Sequence, residues 1–437
     1  MTGDRTAPTN APSSLSTSFL DGLDHDLAAA DSLLASRYPG DPGTRQPVHT
    51  VYVNADLVRG DLGAGLVARW AAGAREVLAV AAADPAAAAA LGVPVGGAEL
   101  ATVLDQVRGK LDAEPIEDLR LDFEDGYGNR SDEEEDADAA QVAALLPVLL
   151  ADPRGPFLAG VRFKSLERPT RRRGLRTLDL VVSGLLAAGP IPAGFLVTLP
   201  KVTSVDQVAA MVKVCAELER VHGLPAGTLR FEIQIETTQA ILGADGRATV
   251  AGMIEAAGKR CVALHYGTFD YSAACGVAAS QQSLAHPVAD HAKAVMQVAA
   301  AGTGVRLSDG STNVMPVGAP EQIRAAVALH AGLVTRSLRA AYYQGWDMHP
   351  GHLVSRYLAT YAFYREGLPA AAARLRAYLN KQSGGVVDEP ATAQALAAFL
   401  MRGVHCGAVT DAEVLELAGV RRPVLDAMAR RKPLPTG

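Results

Sequence analysis

The most constraining feature of this sequence is a regular alternation of short apolar runs with long stretches rich in alanine and leucine. Each run is rich in β-branched residues or leucine and ends in polar residues. Strands buried in a parallel sheet appear as continuous apolar runs, and the longer stretches have helical periodicity. The alternation therefore predicts repeated β-α units around a parallel sheet. We predict strands at His49–Asp56, Leu119–Asp125, Leu158–Lys164, Phe195–Val202, Leu229–Glu236, Cys261–Asp270, Gly304–Ser308 and Gln344–His349.

The number of these units predicts a particular α/β fold. Eight units in roughly 300 residues match a (β/α)8 TIM barrel, so we predict a TIM-barrel catalytic domain at residues 45–353. Residues 1–18 are rich in Ser, Thr, Pro and Asn, which predicts a disordered N-terminal tail. No strand pattern follows, so residues 354–437 are predicted to form an all-helical C-terminal domain, with helices at Leu358–Arg365, Ala370–Leu379, Ala391–Arg402 and Asp411–Leu417.

Composition and charge exclude several classes of partner. The formal net charge is −6 and no long basic stripe occurs, so we expect no nucleic-acid partner. One uncharged stretch, residues 180–200, is long enough to span a membrane, but glycines and prolines interrupt it. The N-terminus has no pattern of a secretory signal, and the four scattered cysteines form no C-x-x-C pair. We therefore expect a cytoplasmic protein with small-molecule substrates and no membrane partner.

The charges that suggest chemistry stand where the predicted strands end. The C-terminal ends of barrel strands meet at one face, so we expect side chains at these ends to converge there. Crowded carboxylates repel one another, and a hard divalent cation with oxygen ligands keeps them ionised. The pattern predicts a Mg2+ site at this face. The charged side chains at the strand ends are Asp122, Glu124, Asp125, Arg162, Lys164, Lys201, Glu236, Asp270 and His349.

Other interpretations compete with the metal site. A single acid at a strand end is often a helix N-cap or part of a surface ion pair. The pairs His286/His291 and His349/His352 offer a rival zinc site, but their spacings are poor, and His286/His291 lacks the i,i+4 spacing of a H-E-x-x-H motif. The acidic run at residues 132–138 is interpreted as a solvated loop or helix start, and the basic run at 168–173 as solvated surface. No dinucleotide, P-loop or nucleophile-elbow motif occurs.

Several short motifs, in their order along the chain, resemble those of a known superfamily. The strings DFEDG, VRFKS, LPKV, QIETTQAI, GTFDYS and DMHPGHL resemble motifs of the citrate lyase β-subunits, HpcH/HpaI-type aldolases and malate synthases. A later segment, residues 387–392 (VDEPAT), resembles the I-D-x-P of citrate-lyase-like proteins and the E-D-x-A-T of malate synthases. The motifs extend over roughly residues 49–403, and the helices between them carry no specific signal.

The resemblance implies a role for individual residues. Glu236 and Asp270 would bind Mg2+, with Mn2+ as a possible substitute, and Asp122, Glu124 and Asp125 would surround them. Arg162 would bind the 2-oxo acid, and Asp388 would be the general base. Arg162, Asp388, Glu124 and Asp125 are therefore the candidate catalytic residues. Asp388 could instead serve only as a helix N-cap, and the adjacent Glu389 leaves the identity of the base open.

The predicted function is a Mg2+-dependent, Claisen-type carbon–carbon lyase or synthase. It would join a 2-oxo acid to an acyl-CoA, or split the corresponding 3-hydroxyacyl thioester, with the CoA thioester as co-substrate. One alternative is a thioester-independent aldolase of HpcH/HpaI type, and another is a barrel that binds a ligand without turnover. After Arg162 the malate synthase run R-G-W-H is replaced by F-K-S-L, which argues against glyoxylate. We also expect a homo-oligomer.

Overall fold

The computed structural model describes residues 14–60, 63, 65–380 and 389–433, and eight parallel strands form its centre. The strands are paired in the order β7-β6-β5-β4-β3-β2-β1-β8. The barrel closes where the Asp309 amide donates to the Gln344 carbonyl at 2.8 Å, beside a bridge between Ser308 and Gln344. The predicted TIM barrel is therefore confirmed. The strands are β1 (His49–Asn54), β2 (Asp118–Asp122), β3 (Leu158–Arg162), β4 (Phe195–Leu199), β5 (Phe231–Ile235), β6 (Cys261–Tyr266), β7 (Arg306–Ser308) and β8 (Gly345–Asp347).

Helices connect the strands and continue beyond the barrel. Short 3-10 turns occupy Ala55–Val58, Gly258–Arg260 and Ala279–Gln281. Among the described helices, none is both long enough and apolar enough to cross a membrane. The α-helices are α1 (Thr17–Arg37), α2 (Leu66–Ala81), α3 (Pro85–Ala89), α4 (Gly97–Ala113), α5 (Asp132–Ala151), α6 (Arg171–Ala188), α7 (Val205–His222), α8 (Thr238–Ile241), α9 (Thr249–Ala257), α10 (Thr268–Ala274), α11 (Pro287–Ala300), α12 (Pro320–Arg339), α13 (Pro350–Leu379), α14 (Pro390–Cys406), α15 (Asp411–Ala418) and α16 (Arg422–Ala429).

Most strands end earlier than the sequence pattern predicts. Asp270 was expected at the end of the sixth strand, but β6 ends at Tyr266 and Asp270 lies in the first turn of α10. Glu124 and Asp125 likewise follow β2 in a loop. The apolar pattern does not show where the backbone leaves the sheet, because loops at this end of a barrel also carry buried side chains.

The two ends of the chain also differ in detail from the sequence pattern. Helix α1 begins at Thr17, inside the range expected to be disordered, while residues 1–13 lie outside the described residues. The helices predicted at Leu358–Arg365 and Ala370–Leu379 are one helix, α13, with Pro369 inside it. Burial of its apolar residues against α2, α4, α12 and α14 outweighs the local cost of the proline. The predicted domain boundary at 353/354 therefore lies within a continuous helix.

The interior of the barrel contains a buried ion-pair network that the sequence pattern did not reveal. Arg120 is fully buried and donates to Glu232 at 2.9 and 2.7 Å, to Thr198 at 3.0 Å and to Asp118. The His265 Nε2 atom lies 3.0 Å from the same Glu232 carboxylate. Buried charges must be paired, since an isolated ion in the interior is strongly destabilising. This network fills the barrel beneath the C-terminal face.

Candidate active site

Three carboxylates lie together at the C-terminal face of the barrel. Glu236 follows β5, Asp125 lies in the loop after β2 and Asp270 lies in α10. One oxygen from each lies within 4.8 Å of the others. Glu236 is only 3% exposed, whereas the side chains of Asp125 and Asp270 are 55% and 46% exposed. The cluster is thus buried on one side and open to solvent on the other.

Glu236 is held in place by its neighbours. The Lys201 amide donates to Glu236 Oε1 at 2.8 Å, and Gln234 Nε2 donates to Oε2 at 2.6 Å. Gly267 after β6 allows this placement, because a Cβ at that position would lie 2.4 Å from the Cβ of Glu236. Replacing Gly267 with any other residue would therefore displace the carboxylate.

The ammonium group of Lys201 lies among the carboxylates. Its Nζ is 3.1 Å from Asp125 and 3.3 Å from Glu124, and it also pairs with Asp270. Lys201 has a φ of 48°, in the left-handed region that side chains disfavour. The hydrogen bond from its amide to Glu236 helps to hold this conformation. The space between these carboxylates therefore favours a positive charge, which the ammonium group of Lys201 supplies in this structure.

The electrostatics of the acids differ from one to the next. Burial raises the pKa of Glu236 to about 8, with nearby Glu124 and Asp270 adding to the shift and Lys201 opposing it. Burial also raises the pKa of Glu124 to about 7, although Arg162 favours its ionised form. Burial acts in the same direction on Asp125, but Arg162 and Lys201 outweigh it and lower the pKa. A bound divalent cation would offset the repulsion between these neighbouring carboxylates and favour their ionised forms.

Arg162 lies beside this cluster at the end of β3. Its guanidinium, 3% exposed, donates to both oxygens of Asp122 at 2.6 and 2.7 Å. A third nitrogen lies 3.2 Å from Glu124. The aromatic rings of Tyr52 and Trp346 lie 5.0 and 5.1 Å from the guanidinium carbon. Arg162 is thus fixed in orientation within an aromatic and acidic enclosure.

The donor set fits a hard divalent cation. Asp125, Glu236 and Asp270 offer oxygen ligands only, and their partly exposed side leaves room for water and substrate oxygens. Mg2+ is commonly bound by a few carboxylates and retained waters, which is the arrangement available here.

Several predicted site residues come together in this structure. Arg162, Glu124, Asp125, Glu236 and Asp270 form one cluster of ion pairs and close carboxylates. Asp388 lies outside the described residues, so its position stays a prediction. The next residue, Glu389, is the N-cap of α14 and makes no side-chain capping bond.

Other charges at the predicted strand ends have different partners. Lys164 donates to Glu135 at 2.6 Å and to the Phe123 carbonyl at 2.8 Å, so the expectation that it joins the acid cluster is wrong. His349 is the N-cap of α13 and accepts a hydrogen bond from the Gly351 amide at 3.0 Å. Both side chains stabilise loops that surround the site.

The rival histidine sites have structural roles. His352 lies close to His330 and Asp347, but its ring nitrogens contact the Met348 amide and the Val314 carbonyl. The guanidinium of Arg356 binds Asp347 at 2.7 Å, which supplies the counter-charge for that carboxylate. His286 caps α11 through a hydrogen bond from Val288. His330, His352, Asp347 and Arg356 thus belong to a buried polar network between β8 and the helices, separate from His286.

Three site residues escaped the sequence analysis. Tyr52, Gln234 and Trp346 lie on β1, β5 and β8, one or two residues before a polar strand end. Side chains alternate along a strand, so Gln234 shares a face with Glu236. That period-2 spacing was the available signal for Gln234. Nothing local distinguishes the two aromatic residues from ordinary core residues.

Comparison with known proteins gives resemblances of fold. No curated protein matches the chain by sequence. Similar solved structures include a malate synthase from Haloferax volcanii, with 15% identity, a TM-score of 0.47 and coverage of 72% of this chain and 74% of that one. Another is the protein CitE from Mycobacterium tuberculosis, solved in complex with magnesium, acetoacetate and coenzyme A. It has 16% identity, a TM-score of 0.48 and coverage of 84% and 99%.

The family match is more extensive than either structural likeness. One family model, described as a domain of unknown function (DUF6986), matches residues 27–433, which include the barrel and the helices that follow it. The chain therefore belongs to the DUF6986 family.

Proposed function

We propose that this protein is a Mg2+-dependent carbon–carbon lyase or synthase that acts on a 2-oxo acid and an acyl-CoA, or on the corresponding 3-hydroxyacyl thioester. The observation that carries the proposal is the placement of Asp125, Glu236 and Asp270 beside the fixed guanidinium of Arg162. The motif resemblance supports the same reaction class. A reaction of this class needs a polarised carbonyl next to a group that binds a carboxylate.

The metal would be held by the three carboxylates. A divalent cation bound by Asp125, Glu236 and Asp270 would polarise the keto group of a 2-oxo acid. Glu236 is positioned for this by Gln234 and the Lys201 amide, both of which hydrogen-bond its oxygens.

Arg162 would bind and stabilise negative charge on the substrate. Its orientation is fixed by Asp122 before any substrate arrives, so little reorganisation is needed when charge develops. Tyr52 and Trp346, each 8% exposed, shield the guanidinium from solvent and strengthen its interaction with an anion. Asp388 remains the proposed base for the proton on the carbon that joins the two fragments.

Metal binding gives the first prediction. Glu236→Gln removes the buried carboxyl group that would ionise to bind the metal, so we expect Mg2+ affinity, measured by isothermal titration calorimetry, to fall roughly 100-fold. Asp105→Asn is the matched control, because Asp105 is an exposed acid on α4 that pairs with Arg108 on the same helix. Equal Mg2+ affinity in the wild type and Glu236→Gln would contradict the assignment.

Turnover can be followed by release of free thiol. The protein is incubated with Mg2+, pyruvate or glyoxylate, and acetyl-CoA or propionyl-CoA. A synthase hydrolyses the condensed thioester and releases free CoA thiol, whereas a lyase acting in the condensing direction converts the acyl-CoA into a 3-hydroxyacyl-CoA and releases no thiol. Consumption of the acyl-CoA is therefore measured beside free thiol, and we expect it only when the metal and both substrates are present. Arg162→Met should abolish this consumption while Mg2+ still binds, because Arg162 is assigned to the substrate. Cleavage of a 2-oxo-acid aldol that carries no thioester, with no consumption of acyl-CoA, would instead identify a thioester-independent aldolase.

A further inference from the structure

A second cleft lies at the end of the barrel opposite the carboxylate cluster. It has a volume of about 1130 Å³ and is bordered by the first residues of three strands, Leu158, Cys261 and Arg306. The C-terminal end of α1, helix α9 and Lys432 complete its walls. Since the proposed active site lies at the C-terminal ends of the strands, this cleft is a separate place on the molecule.

The charge of the cleft is opposite to that of the whole protein. The chain has a net charge of −6, yet only two acids, Asp41 and Glu255, are among the residues that line the cleft. Arg37 pairs with Glu255, and Arg45 pairs with Glu114 and Glu117. Within the described part of the chain, the other lining cations have no ion pair. They are Arg230, Lys259, Arg306 and Lys432.

Among these cations, Arg306 gives the strongest indication that the cleft binds an anion. Its guanidinium donates to the carbonyl of Thr44 at 2.9 Å and to the Thr44 hydroxyl, both neutral groups. Burial lowers the pKa of Arg306 and nearby Arg230 adds to the shift, while Asp41 and Asp118 oppose it. A partly buried cation close to a second cation is electrostatically unfavourable unless an anion approaches both. The arrangement suits a ligand with more than one negative charge.

The cleft also has apolar walls. Phe157, Leu196 and Ile254 line it together with Leu33 and Tyr38 from the α1 end. Leu33 and Tyr38 are about half exposed, at 49% and 51%. The ring of Phe157 lies 4.3 Å from the guanidinium carbon of Arg45. A flat or apolar body could stack here while its anionic groups contact the cations.

A smaller adjoining cleft extends the positive field. It has a volume of about 370 Å³ and shares Gly40, Asp41, Pro42, Thr44 and Arg306 with the larger one. Its walls include Arg402, which stacks 4.3 Å over the ring of Tyr343, and His405. Asp426 also lines it and pairs with Arg430, another lining residue. Arg306, Arg402 and Arg430 thus outnumber the acids Asp41 and Asp426 among its lining residues.

We propose that this cleft at the N-terminal end of the barrel binds an organic phosphate, an apolar or aromatic body that carries at least two negative charges. Arginine forks match the geometry of phosphate oxygens, and lysines add further charge. The ligand would bind beneath α1, between Arg230, Lys259 and Arg306. The site is independent of the proposed lyase activity at the other face.

Calorimetric titration with adenosine diphosphate as probe tests the proposal, with Mg2+ removed by a chelator. The variant Arg230→Ala/Lys259→Ala removes two exposed cations of the cleft, and we expect its affinity for the probe to fall roughly tenfold or more. The control, Arg172→Ala/Lys213→Ala, removes the same charge from exposed helix positions elsewhere and should retain wild-type affinity.

Other results would overturn the proposal. Failure of the probe to bind the wild type would be one such result. Another would be equally tight binding to the cleft variant and to the control variant, because the probe would then occupy a different place, for example a CoA site on the other face. Inorganic pyrophosphate binding as tightly as adenosine diphosphate would show that the apolar walls play no part. Glu236→Gln should leave probe binding unchanged, which separates this test from that of the metal site.

Discussion

At the scale of single residues, Lys201 governs the charge balance of the carboxylate cluster. It pairs with Glu124, Asp125 and Asp270 through its ammonium group and with Glu236 through its amide. Burial lowers its pKa, but Glu236 and Glu124 outweigh this and raise the pKa above the usual range of lysine. An ammonium among these oxygens competes with a metal for the same ligands.

This competition predicts that Lys201→Met strengthens metal binding. We expect Mg2+ affinity to rise roughly tenfold, because the competing charge is gone while the amide that orients Glu236 remains. Calorimetric titration without substrate measures this directly. Lys213→Met on α7 controls for the change in net charge. Unchanged or weaker binding would show that Lys201 does not compete with the metal.

A second residue-scale prediction concerns acid stability and Glu117. This fully buried carboxylate accepts from the Val48 amide at 2.8 Å and pairs with Arg45 and Lys110. Burial raises its pKa, but Lys110 and Arg45 outweigh this and lower the pKa to about 2. The folded pKa is below the unfolded value, so this stabilisation is complete above about pH 5 and is lost as the pH falls towards 2.

Glu117→Gln should therefore lower the free energy of unfolding by about 3 kcal/mol at pH 7. The difference from wild type should shrink between pH 5 and pH 2, as wild-type Glu117 becomes protonated. Urea unfolding at several pH values measures it. Glu217→Gln, an exposed acid paired with Arg220, should change stability by less than about 0.5 kcal/mol. A pH-independent difference would contradict the assignment.

At the scale of elements, helix α5 shows how an acidic run can be structural. Asp132, Glu133, Glu134 and Glu135 occupy its first turn, where the helix dipole favours negative charge. Glu135 and Asp138 are 1% exposed, so the expectation of a solvated run is wrong for these two residues. Glu135 binds Lys164, and Asp138 binds Arg59 at 2.6 and 2.7 Å. The helix thereby fixes the loops on either side of the site.

The N-terminal cap of α5 provides a prediction about helix stability. Ser131 accepts a hydrogen bond from the Glu134 amide at 3.2 Å, and the Glu134 carboxylate accepts one from the Ser131 amide at 3.3 Å. Ser131→Ala should cost about 1 kcal/mol of stability in chemical denaturation. Ser131→Thr retains the cap and should cost less. Equal losses in the two variants would show that the cap is not the cause.

At the scale of the whole molecule, α13 links the barrel to the C-terminal helices. It contacts α2, α4 and α12 around the barrel and α14 and α15 beyond it. Leu375, near its C-terminal end, is fully buried in the same continuous core as the barrel residues. The packing thus favours unfolding of the two parts as one unit, whereas the predicted division at 353/354 would allow separate unfolding.

Leu375→Ala distinguishes these outcomes. We expect a loss of about 3 kcal/mol from the cavity it leaves. Both tryptophans, Trp70 and Trp346, lie on the barrel. The unfolding transition that their fluorescence reports should therefore move to a lower denaturant concentration, together with the transition seen by far-UV circular dichroism. We expect this although the substitution lies in the C-terminal part. A fluorescence transition that stays at its wild-type position would support two independent domains.

The sequence alone determined the barrel and most of its charged rim. Continuous apolar runs that alternate with helical stretches are typical of a parallel sheet covered on both faces. The C-terminal ends of such strands meet, so Glu236 and Arg162 could be expected at one face. Tertiary structure decided which charges pair. Lys164 donates a hydrogen bond to Glu135, and the carboxylate of Asp125 lies close to those of Glu236 and Asp270. Arg120 pairs with Glu232 inside the barrel. Pairing depends on distances between residues far apart in the chain, which local pattern does not encode.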